Sequence, residues 1–261
     1  MSSQIHPTAI VSSKAVLGEG TSVGPFAVIE DDVIIGKDCV IGSSTLIGNG
    51  ARLGDQVKVH HGAVVSTAPQ DLKYKGEPTI LSVGDRTVIR EFCSLNRGTV
   101  HSNKTVIGSD CLLMAYVHVA HDSVVGNKVI LANGVQVAGH VEIHEHAIIG
   151  GMTPVHQFTK IGAHAMIGGG FRATKDVPPY VLAGREPMVA EGLNLIGLRR
   201  RGFSRETIES LDTCFMILYR RGLNVSDALK AIEAEVPANP EVSYFVQFIR
   251  SCDRGIIRGP K

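Results

Sequence analysis

The sequence carries almost no net charge: 26 Lys and Arg stand against 25 Asp and Glu, a formal +1 at pH 7. No overall field draws in nucleic acid, so any anionic ligand must be held by local basic clusters. Cysteine is scarce and unpatterned. Cys39, Cys93, Cys111, Cys214 and Cys252 are odd in number and lack CxxC spacing, which argues against a disulfide framework or a zinc knuckle and for a reducing compartment. Long apolar runs are also missing. No stretch approaches the roughly 18 continuous apolar residues of a membrane span, and the opening MSSQIHPTAI lacks a basic segment followed by an apolar run. We expect a soluble, cytoplasmic protein with no membrane span and no nucleic-acid partner. The remaining balance, 44 % hydrophobic and 20 % charged over 261 residues, is enough to bury a core.

What is present is a repeat. Stepping by six from Ile5 gives Val11, Leu17, Val23, Ile29, Ile35, Ile41, Ile47, Leu53, Val59 and Val65; the register resumes at Val83, Ile89 and Leu95, and again from Ile107 to Ile167. Of the 28 positions in that span, only Asp71, Glu77 and His101 are not Ile, Val or Leu. A second column, two residues earlier, takes small or β-branched residues from Ala9 and Ala15 to Ala165, with Leu81 as the large exception. Gly often follows the aliphatic residue, as in Leu17-Gly18 and Ile149-Gly150, where a missing Cβ lets the chain bend. Each hexad reads as a short strand plus a corner. A strict period of six fits neither a helix nor a long strand; it fits a triangular parallel β-helix with three hexads per coil.

Two interruptions break the register. The polar run from Ala68 to Thr79 (APQDLKYKGEPT) replaces two hexads and should project as a loop, and Arg97 to Lys104 is a smaller excursion. The repeat ends at Asp176-Val177-Pro178-Pro179. Beyond it Ile208, Leu211, Phe215 and Leu218 fall at helical spacing, Gly222 ends that run, Ser226 reads as the next N-cap and Pro240 opens another helix. The expected fold is mainly β, with a parallel β-helix over 1–187 followed by a small α-helical C-terminal domain over 188–261.

The two inward columns decide which polar residues matter. Cys39, Cys93 and Cys111 fall in the small column and read as core fillers, with Cys214 and Cys252 packed in the helical part. His118, His121, His140, His144, His146, His156 and His164 all fall outside the inward columns. His146 and His164 read as solvated surface. Residues one coil apart stack about 4.8 Å from each other, so Asp122 meets His140, and His121, Gly139 and Gln157 form a column. A potential general base then lies beside a glycine N–H. Acyl transfer to a hydroxyl needs a base for the proton and a donor for the tetrahedral oxyanion, and imidazole suits the first. His118 and Asp122 flank His121 and can orient it. The competing reading is zinc, since carbonic anhydrases of β-helical fold use two histidines five apart plus a third. Here the local spacings are three (118 to 121), four (140 to 144) and two (144 to 146), so we expect neither a metal nor another cofactor. A purely structural solenoid would need no outward histidine and glycine column.

The chain resembles the bacterial UDP-N-acetylglucosamine O-acyltransferases that begin lipid A synthesis. The matching segments run nearly its whole length: QDLKYKGEPT (70 to 79), RGT (97 to 99), AHDSVVGN (120 to 127), ILANG (130 to 134), AGHV (138 to 141), IIGGMTPVHQF (148 to 158), DVPPYV (176 to 181) and GLRRRGFSRETI (197 to 208). Hexapeptide repeats alone are shared by many transferases; the DLKYxGEP loop, the AHD and HQF segments and the RRGFSR helix together are specific. The resemblance implies a left-handed coil, an exception to the right-handed rule for parallel crossovers. It implies that His121 is the base, Gly139 N–H the oxyanion donor and Asp122 its neighbour in catalysis. Asp71 and Lys73 would bind the sugar, with His118, His140, His156 and Gln157 around it and the diphosphate, while Asn194, Arg200 and Arg201 reach the nucleotide. Gly169 would leave the far end of the acyl groove open to a long 3-hydroxyacyl chain. A homotrimer with sites between prisms, and acyl carrier protein on the basic stretch from Arg199 to Arg205 and at Arg220 and Arg221, complete the expectation. Asn96 and Ile196 depart from the usual pattern, and a 3-amino sugar nucleotide stays open as an acceptor.

Overall fold

A computed structural model describes residues 4–259. Short parallel strands stack into three sheets, of eleven, eight and eight strands among the described residues. The first sheet begins at Gln4–Ile5, the second at Ile10–Val11 and the third at Val16–Leu17, so the chain visits the three in turn and closes a triangular prism. The aliphatic column is the core: Ile29, Ile41, Val65, Ile89, Leu113, Val137 and Ile161 are each at most 2 % exposed. Cys39, Cys93 and Cys111 fill the small column, and burial pushes the Cys93 thiol up to about 11, which leaves it inert. Only the first coil departs. Ile5 is 46 % exposed and Val11 and Leu17 are only half-buried, because they lie at the open end of the described prism.

Register tracks the interruptions. Val23 lies beside Ile41, 18 residues on; Val59 lies beside Ile89, 30 on; Leu95 lies beside Val119, 24 on; and Val119 beside Val137 restores 18. The prism therefore continues undisturbed past both excursions. Each leaves the second sheet and returns on the third, after Val64–Thr67 and after Ser94–Asn96 respectively. They emerge from the same corner.

The glycines after the aliphatic positions serve a purpose other than bending. The left-handed backbone falls three residues after the aliphatic position, on Ser44, Asp110, Asp122, His140 and their equivalents, with φ near 60°. The glycines themselves allow close stacking: a Cβ on Gly18 would stand 2.4 Å from the Gly36 carbonyl carbon.

After the last coil, Val181–Gly184 joins the first sheet in parallel and Val189–Leu193 pairs antiparallel with it. Four helices follow: α1 (Leu195–Arg200), α2 (Arg205–Arg220), α3 (Val225–Glu235) and α4 (Pro240–Arg250). Their N-caps are Asn194, Ser204, Asn224 and Asn239, each accepting from a backbone N–H three residues on. The α3 cap is thus Asn224, not Ser226, since the earlier Asn can bond Asp227 N–H and starts the helix sooner. Leu211, Phe215, Ile232, Phe245 and Ile249 form the apolar centre of this part. No helix among the described residues is long and apolar enough to cross a membrane.

Candidate active site

The corner between the second and third sheets, from which both excursions leave, also carries the stacked column of His121 and Gly139. His121 Nδ1 lies 2.8 Å from Asp122 Oδ2. Asp122 is buried, and burial alone would raise its carboxyl. Hydrogen bonds from Ser102, Thr99 and His121 outweigh that and hold it well below the usual carboxylate range. Thr99 donates its N–H at 3.0 Å and its hydroxyl at 2.7 Å, and the Ser102 hydroxyl donates to the same carboxylate. An ionised carboxylate only accepts, so the proton shared with His121 resides on Nδ1 and the Nε2 lone pair is free to act as a base.

That Nε2 sits over Gly139. A Cβ there would meet His121 Cε1 at 2.8 Å and Nε2 at 3.0 Å, so glycine is the residue that leaves the ring in place. The Gly139 carbonyl accepts from Phe158 N–H at 3.2 Å, while its own N–H has no partner among the described residues. An unpaired backbone donor beside a base is the geometry that stabilises an oxyanion.

His140 completes the corner. Its ring stacks on Phe158 (centroids 4.6 Å apart, planes 9° apart) and stands edge-on to His121 at 5.2 Å and to His101 at 4.7 Å. Burial lowers its pKa, opposed by Asp122 and more distantly by Asp71, which reaches the site electrostatically from the projecting loop. Lys73 is exposed on the same loop. His118, one strand before His121, lies 3.2 Å from Ser94 Oγ, and burial lowers its pKa as well. Gln157 continues the corner column and is exposed, as is His156, whose Nδ1 lies 3.1 Å from the Gln157 carbonyl.

The remaining expected residues lie on the other corners. Arg201 reaches the corner between the third and first sheets, where its Nη2 donates to the His146 carbonyl at 2.9 Å; Arg200 is exposed beside it. Asn194 is 5 % exposed and its amide is engaged, accepting from Gly197 N–H and donating to the His164 carbonyl at 3.0 Å. Its role in the structure is to cap α1 and fasten it to the prism. His146 and His164 are not the solvated surface expected of them: their rings stack 4.7 Å apart, and Tyr180 and Phe203 cover His164 because the helical part packs on this corner. Gly169 lies on the corner between the first and second sheets, beside Gly151.

One atom each of His121, Asp122 and His140 lie within 4.8 Å of one another, a grouping able to hold a metal ion. Asp122 argues against that use, because its oxygens already accept from Thr99, Ser102 and His121. A ligating carboxylate would have to give up these donors, of which Thr99 is itself buried.

Three stacked sheets of short parallel strands, with a carboxylate-bound histidine packed against a glycine, define an acyltransferase of the hexapeptide-repeat class. The bacterial transferase hexapeptide family matches residues 14–49 and 104–139, and the family described as Udp N-acetylglucosamine O-acyltransferase, Domain 2, matches 176–257. The acyl-(acyl-carrier-protein)–UDP-N-acetylglucosamine O-acyltransferase of Chlorobaculum parvum is 59 % identical over 97 % of this chain and 96 % of its own, and that of Sulfurihydrogenibium is 55 % identical over 97 % and 94 %. Among solved structures, the UDP-N-acetylglucosamine acyltransferase of Bacteroides fragilis superposes with a TM-score of 0.95 at 45 % identity, covering 97 % of this chain and 99 % of that one. The chain belongs to the acyl-(acyl-carrier-protein)–UDP-N-acetylglucosamine O-acyltransferase family.

Proposed function

We propose that this chain transfers a (3R)-3-hydroxyacyl group from acyl carrier protein to the 3-hydroxyl of UDP-N-acetylglucosamine, the first step of lipid A biosynthesis. The observation that carries it is the His121 ring, held by ionised Asp122 with Nε2 over Gly139. Nε2 takes the proton of the sugar hydroxyl as its oxygen attacks the thioester carbonyl carbon. The carbonyl oxygen becomes an oxyanion and accepts from Gly139 N–H. As the tetrahedral intermediate collapses, the C–S bond breaks and the thiolate leaves with the proton that His121 returns. No metal or cofactor takes part in this sequence. Asp71 and Lys73 hold the sugar, with His118, His140, His156 and Gln157 lining its approach.

Arg200, Arg201 and Asn194 belong to the nucleotide end and Gly169 to the acyl end, although in one chain they lie on other corners than His121. A homotrimer reconciles this, since adjacent prisms bring different corners together. Support for such an assembly comes from the edge that carries Phe26, Phe92, Tyr116 and Met152, which are 66 %, 44 %, 61 % and 72 % exposed; Phe92 and Tyr116 stack at 5.3 Å. A ladder of large apolar side chains on one edge is what a partner would cover. Acyl carrier protein, an acidic donor, docks on the basic stretch from Arg199 to Arg205 and at Arg220 and Arg221. Five free cysteines fit a reducing cytoplasm.

The test is an assay of purified protein with a panel of 3-hydroxyacyl carrier proteins and either UDP-N-acetylglucosamine or its 3-amino analogue. Ester product from the first acceptor is expected. Amide product alone would transfer the same chemistry to the 2,3-diamino sugar.

A further inference from the structure

One side chain ties the two excursions together. Arg97 donates Nε at 3.2 Å and Nη2 at 2.9 Å to the Tyr74 hydroxyl, and Nη1 at 2.9 Å to the Ser66 carbonyl, while its Cζ lies 5.6 Å from the Tyr74 ring centroid. The Tyr74 hydroxyl in turn donates to the Glu77 carbonyl at 2.8 Å. Tyr74 also closes the turn that begins at Asp71: its N–H donates to the Asp71 carbonyl at 3.0 Å, and Lys73 N–H donates to Asp71 Oδ1 at 2.9 Å. The excursion that Arg97 opens is fastened at its middle to Asp122 by Thr99 and Ser102. A continuous series of bonds therefore runs from His121 through Asp122 and the second excursion to Arg97, Tyr74 and the loop.

We infer that Arg97 is a positioning residue for the sugar-nucleotide acceptor: it fixes the Asp71–Lys73 turn relative to His121, which rests on the reading that Asp71 and Lys73 bind the sugar. The loop lies outside the strand ladder, and ordering such a segment on binding costs conformational entropy that pre-ordering removes. The planar guanidinium does this with several donors and a stacking face at once. A lysine ammonium offers neither the fork nor the face. Local stability is the competing account, but it predicts no selective effect on the acceptor.

The experiment compares full-length wild type with Arg97→Ala, Arg97→Lys and Tyr74→Phe, reading KM for UDP-N-acetylglucosamine, kcat, thermal midpoint and the rate of tryptic cleavage after Lys73 and Lys75, both exposed on the loop. Loss of charge-assisted bonds of this kind predicts a KM raised roughly tenfold or more with kcat little changed. Faster cleavage should accompany it in Arg97→Ala, with Arg97→Lys nearer to the alanine variant than to wild type and Tyr74→Phe weaker in the same direction. Unchanged cleavage and unchanged KM would overturn the clamp. Faster cleavage with unchanged KM would overturn the reading that this loop binds the sugar, and the inference with it. A fall in kcat at constant KM would make Arg97 part of the chemistry rather than of positioning.

Discussion

The His121 ring lies over Gly139 so closely that a Cβ on the glycine would stand 2.8 Å from Cε1 and 3.0 Å from Nε2, while Nδ1 is held 2.8 Å from Asp122. The base is pinned on one side and has no room to retreat on the other. Gly139→Ala should therefore push the ring off its position. Displacement of a catalytic group by about 1 Å costs on the order of 10²-fold in turnover. Steady-state kinetics beside a thermal melt checks this; full turnover in a folded alanine variant would mean that the ring adapts and that Gly139 is not needed for its packing.

Asp122→Asn tests the carboxylate. An amide replaces one of the two acceptor oxygens by an NH2 group, so either the Thr99 hydroxyl and His121 or the Ser102 hydroxyl and Thr99 N–H face a donor, and the neutral side chain no longer stabilises the charge that His121 takes up. Turnover should fall by about 10²–10⁴, and the thermal midpoint should drop because buried groups lose their partner. Exhaustive chelation of the wild type should leave turnover unchanged. Activity lost to a chelator and restored by zinc would instead assign His121, Asp122 and His140 to a metal.

Acyl length is checked at Gly169. Each methylene buried in a groove contributes about 0.8 kcal/mol, so two more give roughly 15-fold preference. Wild type should prefer donors of the 3-hydroxymyristoyl class, and Gly169→Met should shift preference toward shorter ones. A side chain there starts 3.0 Å from the Gly151 carbonyl oxygen, so Gly169→Ala serves as the control for local strain. Identical ranking of donors by wild type and the methionine variant would put the ruler elsewhere.

Stability should be acid-sensitive through His164. Burial, with His146 and Arg201 beside it, holds this imidazole down to about 4, whereas an unfolded histidine titrates near 6.5. Between these values the unfolded chain binds more protons than the native one. The contribution of His164 is thus complete above about 6.5 and is lost as the pH falls toward 4. His164→Phe, which keeps the stacking and removes a ring nitrogen without a hydrogen-bond partner among the described residues, should flatten the fall of the thermal midpoint over that range. Parallel curves for the two proteins would show that other groups set the acid limit.

The repeat made the prism legible because each coil repeats one geometric demand: an aliphatic residue at every sixth place and a small one two before it. The stacking of His121, Gly139 and Gln157 followed from the same spacing. The anchoring of Asp122 by Thr99 and Ser102 did not, since both lie in an excursion that breaks the register and whose path depends on bonds to the site itself. His101 was missed for that reason; it falls at an inward position of the repeat, yet the excursion turns it outward against His140. Asn194 carried a cap signal, an Asn immediately before a helix, that the nucleotide reading obscured. Burial of His146 and His164 depends on how the helical part packs on the prism, which no periodicity encodes.

The most direct test is the turnover of His121→Ala in carrier-protein-dependent acylation of UDP-N-acetylglucosamine, measured on protein whose fold and assembly match the wild type. Loss of a general base predicts a fall in kcat of about 10²–10⁴ with KM for the acceptor little changed. A folded alanine variant that turns over near the wild-type rate would contradict the assignment of His121 as the base.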